Sequence, residues 1–453
     1  MKKLLISCCF LTALNTQSQH FWTSYPTAQI SGMGVNSISI IDANTAWLSD
    51  VCMISPSCGS DKSYSVTTNG GTVWNAGIVN LGADDLNLRV ANIHGISASV
   101  AFAAAYPVSA TATGGIWKTI DGGLTWTRQA SALFSDASSI TRMVYFWNEN
   151  DGIAMGDSAN GYFEIYTTSD SGGTWTRVPI SAALIPLTGP DEHGIANNFT
   201  VTGNTVWLRT TRGRILKSVD KGLTWTVRQS PLTPGGRGGS MAFTDQNNGL
   251  LQSNDFSLYA TNDGGDTWSW VSFYGLNRND DIAAVPGMSN AYVAVGEELL
   301  TTTRGSSYSL NGGLNWVEIE AVDPFGYIAY GGHVAMLDED HGFTSGWAGS
   351  PTVGGILKWG GGAMLRLAYL AVSNFKDDNA VTAHPNPTSS RINISAKSIS
   401  RIEVYDLFGK QLFSNDYPAR QNTSIDLENF LNGVYLLKVT FDAGASTIKV
   451  VKQ

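Results

Sequence analysis

The residues whose types could do chemistry are three arginines and a scattered set of acidic and histidine residues. Clustered arginines bind a carboxylate through paired hydrogen bonds, and two carboxyl groups beside a glycosidic bond supply the acid and the nucleophile for its hydrolysis. The same charges also commonly anchor loops. We therefore predict no catalytic residues and a binding role for Arg89, Arg142, His193, Arg237 and Asp281, which have Asp191, Glu192 and Asp280 as neighbours.

The run Asp338-Glu-Asp-His341 has the composition of a metal site. Its position in the chain matches polar turns elsewhere that contain no histidine, so we interpret it as a solvated turn. We predict no metal and no cofactor.

One eight-residue pattern recurs six times: Ser or Thr, any residue, Asp or Asn, any residue, Gly, two further residues and Trp. The copies span 67–74, 119–126, 168–175, 218–225, 261–268 and 309–316. Their third and last residues are Asn69 and Trp74, Asp121 and Trp126, Asp170 and Trp175, Asp220 and Trp225, Asp263 and Trp268, and Asn311 and Trp316. A repeat every 43–52 residues is typical of a four-stranded blade that must stack on its neighbours.

The residue choices in this pattern predict a structural turn. In the second copy, Asp121 can accept hydrogen bonds from the backbone of its own turn, and Gly122 and Gly123 can adopt positive φ. Thr119 can close the loop, and Trp126 can bury its ring between adjacent sheets. Because each carboxylate lies on a separate blade, the copies cannot share a metal or a substrate.

Seven polar turns, each followed by an apolar strand, precede the repeats, and the seventh has no good copy after it. The segment 20–24 resembles the strand after the tryptophan in the other copies, so we expect the N-terminal strand to complete the last blade and close the ring. Few charged residues (14%) with 49 glycines also favour an all-β protein. The prediction is a seven-bladed β-propeller over residues 20–372.

Strand alternation predicts that the repeated turns share one face of the ring and that the irregular connections share the other. Binding residues concentrate on irregular loops held by a rigid scaffold. The long-loop face is therefore the predicted binding face. Its connections are 52–61, 106–113, 182–193, 230–239, 274–281, 297–307 and 347–354.

The repeats resemble the Asp-box (BNR) repeats of sialidases and sortilin-type propellers, and their spacing resembles the photosystem II stability/assembly factor propellers more closely. The resemblance implies the fold and leaves the function open. The chain lacks a sialidase-type Arg-Ile-Pro segment near the mature N-terminus and a convincing Tyr/Glu pair. This favours a non-catalytic protein that binds a protein or glycan, with a secreted glycoside hydrolase or lyase as the alternative.

After a polar linker at 373–382, residues 383–453 show alternating apolar residues with turns every 8–12 positions, which predicts a small Ig-like β-sandwich. The order of these segments, from His384-Pro-Asn-Pro onward, resembles the C-terminal sorting domain of type IX secretion cargo in Bacteroidetes. The resemblance implies recognition by the outer-membrane export machinery, followed by release or attachment at the cell surface. An adhesive module is the alternative.

Residues 1–18 have two lysines, an apolar run and a small-residue end, which predicts a secretory signal peptide; a lipoprotein signal ending at Cys8 is the alternative. Cys52 and Cys58 would remain after export, and we predict a disulfide between them because an exported protein meets an oxidising compartment. No later apolar run is long enough to span a membrane. The net charge of −9 argues against a nucleic-acid partner.

Overall fold

A computed structural model describes residues 21–29, 31–52, 61–109, 112–134, 140–159, 161–180, 189, 192–232, 239–297, 304–320, 332–373, 381–406, 410–441 and 444–452. The predicted signal peptide (1–18), most of the predicted linker, Cys58 and Arg237 lie outside these residues. The described part is almost entirely β-structure.

Seven blades follow one another along residues 22–359 of the described chain, which is the predicted number. Blades 7 and 1 belong to one eight-stranded sheet, and each of the other five forms a sheet of its own. The N-terminal strand is β1 (Trp22–Pro26). Blade 1 contains β2 (Met33–Ile40), β3 (Ala46–Cys52), β4 (Ser63–Thr67) and β5 (Asn75–Ile78). Blade 2 contains β6 (Leu88–Gly95), β7 (Ala101–Pro107), β8 (Gly115–Thr119) and β9 (Thr127–Arg128). Blade 3 contains β10 (Thr141–Phe146), β11 (Gly152–Ala159), β12 (Tyr162–Thr168) and β13 (Thr176–Arg177).

The remaining blades follow the same plan. Blade 4 contains β14 (Gly194–Thr202), β15 (Thr205–Thr210), β16 (Arg214–Ser218) and β17 (Thr226–Gln229). Blade 5 contains β18 (Met241–Phe243), β19 (Gly249–Gln252), β20 (Leu258–Thr261) and β21 (Ser269–Trp270). Blade 6 contains β22 (Tyr274–Gly275), β23 (Asp281–Ala284), β24 (Tyr292–Glu297), β25 (Arg304–Ser309) and β26 (Asn315–Glu320), and β22 runs parallel to β26. Blade 7 contains β27 (Val334–Met336), β28 (Gly342–Ser350) and β29 (Val353–Trp359).

The first strand closes the ring, as the sequence predicts. Strand β1 pairs antiparallel with β29, with Trp22 opposite Trp359, and so forms the outer strand of blade 7. The Trp22 ring is 2% exposed, lies 4.8 Å from the Trp359 ring and donates from Nε1 to Ser306 Oγ of blade 6 at 2.8 Å. Closure therefore joins chain segments more than 280 residues apart and removes an open sheet edge.

Each repeated turn contains one hydrogen-bond network. In blade 4, Asp220 Oδ1 accepts from Ser218 Oγ (2.8 Å) and Thr224 N (2.8 Å), while Oδ2 accepts from Thr224 Oγ1 (2.6 Å). Ser218 Oγ also accepts from Gly222 N at 2.8 Å. The turns of Asp121, Asp170 and Asp263 make corresponding bonds, and Asn69 and Asn311 make them through Oδ1.

Tryptophans that end the repeated turns pack against aromatic residues of the ring. Trp126 of blade 2 lies 6.3 Å from Trp47 and 5.9 Å from Tyr64, both in blade 1. Trp74 of blade 1 lies 5.5 Å from Phe343 of blade 7. Aromatic pairs in these geometries contribute beyond their buried area, so they help to hold blade 2 against blade 1 and blade 1 against blade 7.

The sequence analysis did not predict the α-helix α1 (Gly362–Ser373), which follows blade 7 where a seventh repeated turn would otherwise lie. Leu365 is fully buried in a cluster with Met288 and Met336, from the connection after β23 and from β27. Arg366 pairs with Asp340 at 2.5 Å. A run rich in Ala, Leu and Met is a strong helix former, and this signal was available in the sequence.

The C-terminal domain contains β30 (Thr382–His384), β31 (Arg391–Tyr405), β32 (Gln411–Asp426), β33 (Gly433–Phe441) and β34 (Gly444–Lys452). Residues 391–395 of β31 lie between β30 and β32, whereas residues 401–405 lie between β32 and β33. Register shifts between residues 395 and 401 separate these halves. Ile394, Ile402 and Leu437 share one fully buried core, so both halves cover the same apolar interior.

Candidate functional site

The two faces of the ring carry different connections. The inner strands end in short turns in which one side chain accepts two backbone N–H groups, as Asp245 Oδ1 does from Asn247 (2.8 Å) and Asn248 (2.9 Å). The opposite, long-loop face includes the starts of the inner strands. Several connections predicted for it lie wholly or partly outside the described residues. The segment 347–354 is not a long loop, because β28 continues to residue 350 and β29 starts at residue 353.

A central cavity of about 580 Å³ lies among the inner strands. In the described part of the chain its lining contains two carboxylates and two histidines but neither lysine nor arginine. Most of its polar groups are neutral hydroxyls and amides. The aromatic lining is contributed by Tyr145, Phe199 and Phe243, and the titratable lining residues are His94, Asp280, Asp281 and His333.

Asparagine side chains around the cavity link inner strands of different blades. Asn92 of blade 2 donates to Val144 O of blade 3 (2.9 Å) and accepts from Val144 N (2.9 Å). Asn197, at a φ of 55° within an irregular stretch of β14, donates across the ring to Asn36 O of blade 1 (2.7 Å). This asparagine belt fixes the relative positions of the inner strands around the cavity.

Two of the predicted binding residues, Arg142 and His193, meet at one buried carboxylate. Arg142 Nε lies 3.0 and 2.9 Å from the two oxygens of Asp157, whose side chain is 1% exposed. Asp157 also accepts from Gly194 N at 2.8 Å, and its Oδ2 lies 3.3 Å from His193 Nδ1. The arginine is therefore paired within the protein, while the His193 side chain remains 41% exposed.

A second charged group lies where blades 6 and 7 meet. Asp281 Oδ2 accepts from Val334 N at 3.0 Å and lies 3.4 Å from His333 Nδ1. Asp280 pairs with Arg304 at 2.7 Å. Burial raises the pKa of Asp280, and this effect exceeds the opposing attraction of Arg304. The contacts of Asp281 attach the start of β23 to blade 7, whereas the Asp280–Arg304 pair lies within blade 6.

The other predicted residues do not join these groups. Arg89 donates to Leu88 O at 2.9 Å and lies 4.0 Å from Asp61. Glu192 is held by Arg214, with both Nε–Oε1 and Nη2–Oε2 at 2.7 Å. Arg237 and Cys58 lie outside the described residues, so the binding role of the first and the disulfide of the second stay predictions.

Two titratable groups on the inner part of the ring, one half-buried and one buried, have shifted pKa values. His94 of β6 approaches Phe146 O at 3.0 Å, and burial lowers its pKa to about 4. Asp50 of β3 is 2% exposed, its Oδ2 has no hydrogen-bond partner among the residues that the structure describes, and burial raises its pKa well above the ordinary value.

The run from Asp338 to His341 forms one of the short turns. Asp338 Oδ1 accepts from the backbone N–H groups of Asp340 and His341 (both 2.8 Å) and approaches His341 Nδ1 at 2.8 Å. No group of three or more potential metal ligands occurs in the part of the chain that the structure describes.

A groove of similar volume, about 590 Å³, lies between blades 1 and 2 at their outer strands. Its arginine, Arg128, donates to Gly114 O (2.7 Å) and lies 5.5 Å from the centre of the Trp117 ring. The groove is an inter-blade packing space rather than a set of converging polar groups.

Sequence reasoning missed Asp157, Arg304 and His333. Asp157 lies within β11 directly after an apolar run, which is an unusual place for a carboxylate and could have directed attention to it. Arg304 and His333 have no comparable local signal, because their importance depends on Asp280 and Asp281, which are 24 and 52 residues away in the chain.

Comparison with known proteins agrees with this architecture. Residues 382–453 match the family model of the secretion system C-terminal sorting domain. A structure of YCF48 bound to D1 peptide is 16% identical and has a TM-score of 0.53 over 76% of this chain and 96% of that chain. YCF48 from Cyanidioschyzon merolae is 18% identical, with a TM-score of 0.51 over 75% and 98% of the two chains.

The GH74 xyloglucanase from Xanthomonas campestris has 13% identity and a TM-score of 0.48, with 95% of this chain and 68% of that chain covered. A search of curated proteins found no match. No helix in the described residues has the length and apolar character needed to cross a bilayer. The chain is thus a β-propeller followed by a type IX secretion sorting domain, which directs it to the cell surface or the medium.

Proposed function

We propose that the exported propeller binds a protein segment or a glycan, without catalysis, through its long-loop face. The observation that carries this proposal is the internal pairing of three arginines with carboxylates in the described part of that face. Arg142 is engaged by both oxygens of Asp157, Arg304 by Asp280, and Arg214 by both oxygens of Glu192.

Such pairing argues against hydrolysis of an acidic sugar. That reaction requires arginines directed at the substrate carboxylate and two carboxyl groups directed at the scissile bond. Here the same side chains hold inner strands and connections in place. The cavity beyond them presents hydroxyls, amides and aromatic rings, which suit hydrogen bonds to peptide or sugar groups and apolar contact with their carbon skeletons.

A peptide ligand is compatible with this fold, because YCF48 has been solved with D1 peptide bound. The likeness to YCF48 extends to the fold alone, and peptide binding is a proposal for this chain.

A glycoside hydrolase is the second candidate, and Asp280 is the observation in its favour. This carboxyl lines the cavity next to Asp281 in the chain, and burial raises its pKa, as a general acid requires. Its pairing with Arg304 weighs against that role.

The test uses the purified exported chain on peptide and glycan arrays, followed by affinity measurement for any ligand found. The double variant His193→Ala/His333→Ala removes two partly exposed side chains from the proposed face, and binding should weaken at least tenfold. His341→Ala is the matched control, because His341 is similarly exposed (38%) but lies in a turn at the opposite end of an inner strand. Loss of binding in the control but not in the double variant would refute the proposed face.

A hydrolysis assay on the same glycans separates the two candidates. Release of sugar that is abolished by both Asp280→Asn and Arg142→Ala would establish the enzyme and overturn the non-catalytic proposal. Binding without turnover would support it.

A further inference from the structure

The two long edges of the C-terminal sheet differ. Strand β32 pairs with β31 along its length and with no other strand in the described residues. It is 16 residues long, about three times the usual strand length, and nearly all of its side chains are exposed. One row of its backbone N–H and C=O groups therefore has no strand partner within the described chain.

The opposite edge, β34, is covered. Asn386 donates from Nδ2 to Lys449 O (2.7 Å) and accepts at Oδ1 from Val451 N (2.9 Å). Thr388 N donates to Val451 O at 2.8 Å. The segment that enters the domain thus occupies backbone groups of β34 in the way that an added strand would.

The side chains of β32 only partly protect its edge. Protein sheets avoid unwanted pairing with short edge strands, charged residues, prolines and bulges. β32 has a bulge at 416–420 that contains Pro418 and a second register shift between residues 411 and 413. Residues 413–416 remain regularly paired on their inner side, and the stretch 411–416 is mainly neutral. Asp416, the one charged residue among these six, is already paired with Arg401 at 3.2 Å.

We propose that residues 411–416 of β32 bind the type IX export machinery by strand addition, with an extended segment of a machinery component completing the sheet. The machinery is the occupant because this domain matches a secretion sorting domain. Strand addition takes its affinity from main-chain hydrogen bonds, and alternate side chains adjust specificity. The inference does not depend on any ligand of the propeller, so the two proposals fail independently.

The experiment expresses the full chain in a bacterium with a functional type IX system and measures the exported fraction. N–H groups along β32 point alternately toward β31 and away from it. The variants Ser414→Pro and Asn415→Pro therefore differ: one removes an N–H that points away from the sheet, and the other removes a hydrogen bond to β31. Thermal unfolding of the C-terminal domain, followed in the full chain, shows which variant is which, because the variant that loses only the outward N–H is the more stable of the two. That variant should be exported at least tenfold less than the wild type.

Matched variants define the alternatives. Ser414→Ala and Asn415→Ala keep the N–H groups and should be exported normally, as should Asn386→Ala, which uncovers only β34. Normal export of both proline variants, or loss of export in the alanine variants, overturns the proposal. If the outward proline variant lost self-association but was exported normally, the edge would be assigned to a second copy of the chain, and this result would also overturn the proposal.

Hydrogen exchange of the purified full chain provides a test that does not depend on variants. Alternate amides of 413–416 should exchange rapidly while Val451 N–H is protected. Protection of every amide in 411–416 would mean that the edge is already covered, which contradicts the proposal.

Discussion

Replacement of Asp220 by alanine tests whether the repeated turns are structural. The carboxylate accepts three hydrogen bonds, from Ser218 Oγ, Thr224 N and Thr224 Oγ1. A hydrogen bond contributes about 0.5–1.5 kcal/mol net, and a half-exposed site favours the lower part of that range. The three together predict that Asp220→Ala lowers the free energy of unfolding by about 2 kcal/mol.

The assay is calorimetric unfolding of the purified chain. Unfolding entropy is about 2.1 cal/mol/K per residue, so for a propeller of this size 2 kcal/mol lowers the Tm by about 3 °C. Asp220→Asn is the control, because Asn69 and Asn311 accept the corresponding bonds through Oδ1 in their own turns. Its Tm should remain within about 1 °C of the wild type, since one acceptor oxygen is kept.

The pH dependence supplies a second readout. Partial burial acts to raise the pKa of Asp220, but hydrogen bonds from Thr224 and Ser218 prevail and hold it below the ordinary value of 3.8. Because the folded pKa is the lower one, this stabilisation is present above about pH 4 and is lost as pH falls through the folded pKa. The difference between wild type and Asp220→Ala should shrink accordingly. The structural interpretation would be refuted if Asp220→Asn were as damaging as Asp220→Ala and a chelator lowered the wild-type Tm equally.

Three further predictions concern the closure of the ring, the pH dependence of its stability and the disulfide of the exported chain. Trp22→Ala should destabilise the propeller by about 3–5 kcal/mol in denaturant unfolding, because it empties a buried site at the ring closure. Trp270→Ala is the control and should have little effect, because that side chain is 67% exposed. Equal effects of the two substitutions would contradict closure by β1. His94 has a folded pKa of about 4, below its pKa in the unfolded chain, so the free energy of unfolding should fall by about 3 kcal/mol between pH 6.5 and 4. If the free energy of unfolding of His94→Gln depended on pH as steeply as that of the wild type, this residue would be excluded as the cause. Mass spectrometry of the exported chain should find Cys52 and Cys58 joined, and two free thiols would disprove the predicted bond.

Local rules explain why much of the fold could be predicted. The bonds within the repeated turns connect residues two to four apart, so the pattern of Ser/Thr, Asp/Asn and Gly specifies the turn wherever it occurs. The seven polar turns, which recur at the same spacing, then give the number of blades. Helix α1 was not predicted because its residues fall where the blade repeat would continue, although their own helix propensity is strong.

The candidate site was less predictable. Arg89, Arg142, His193 and Asp281 were selected by residue type and by their closeness to the start of an inner strand. The structure shows that Arg142 and His193 share Asp157, while Arg89 lies apart. Nothing in the residue types distinguishes an arginine that binds a ligand from one that is paired internally.

The sequence by itself determined the repeated turns, the blade count and the sorting domain, because each depends on side chains bonding to their own neighbourhood or on strand periodicity. Only the tertiary structure decided that Arg142 is neutralised by Asp157, that Asn197 reaches Asn36 across the ring, and that β32 is left with an open edge. These contacts join residues far apart in the chain, or require that a strand partner be absent from the described sheet. They follow from how the blades and strands are placed in space, which local spacing does not specify.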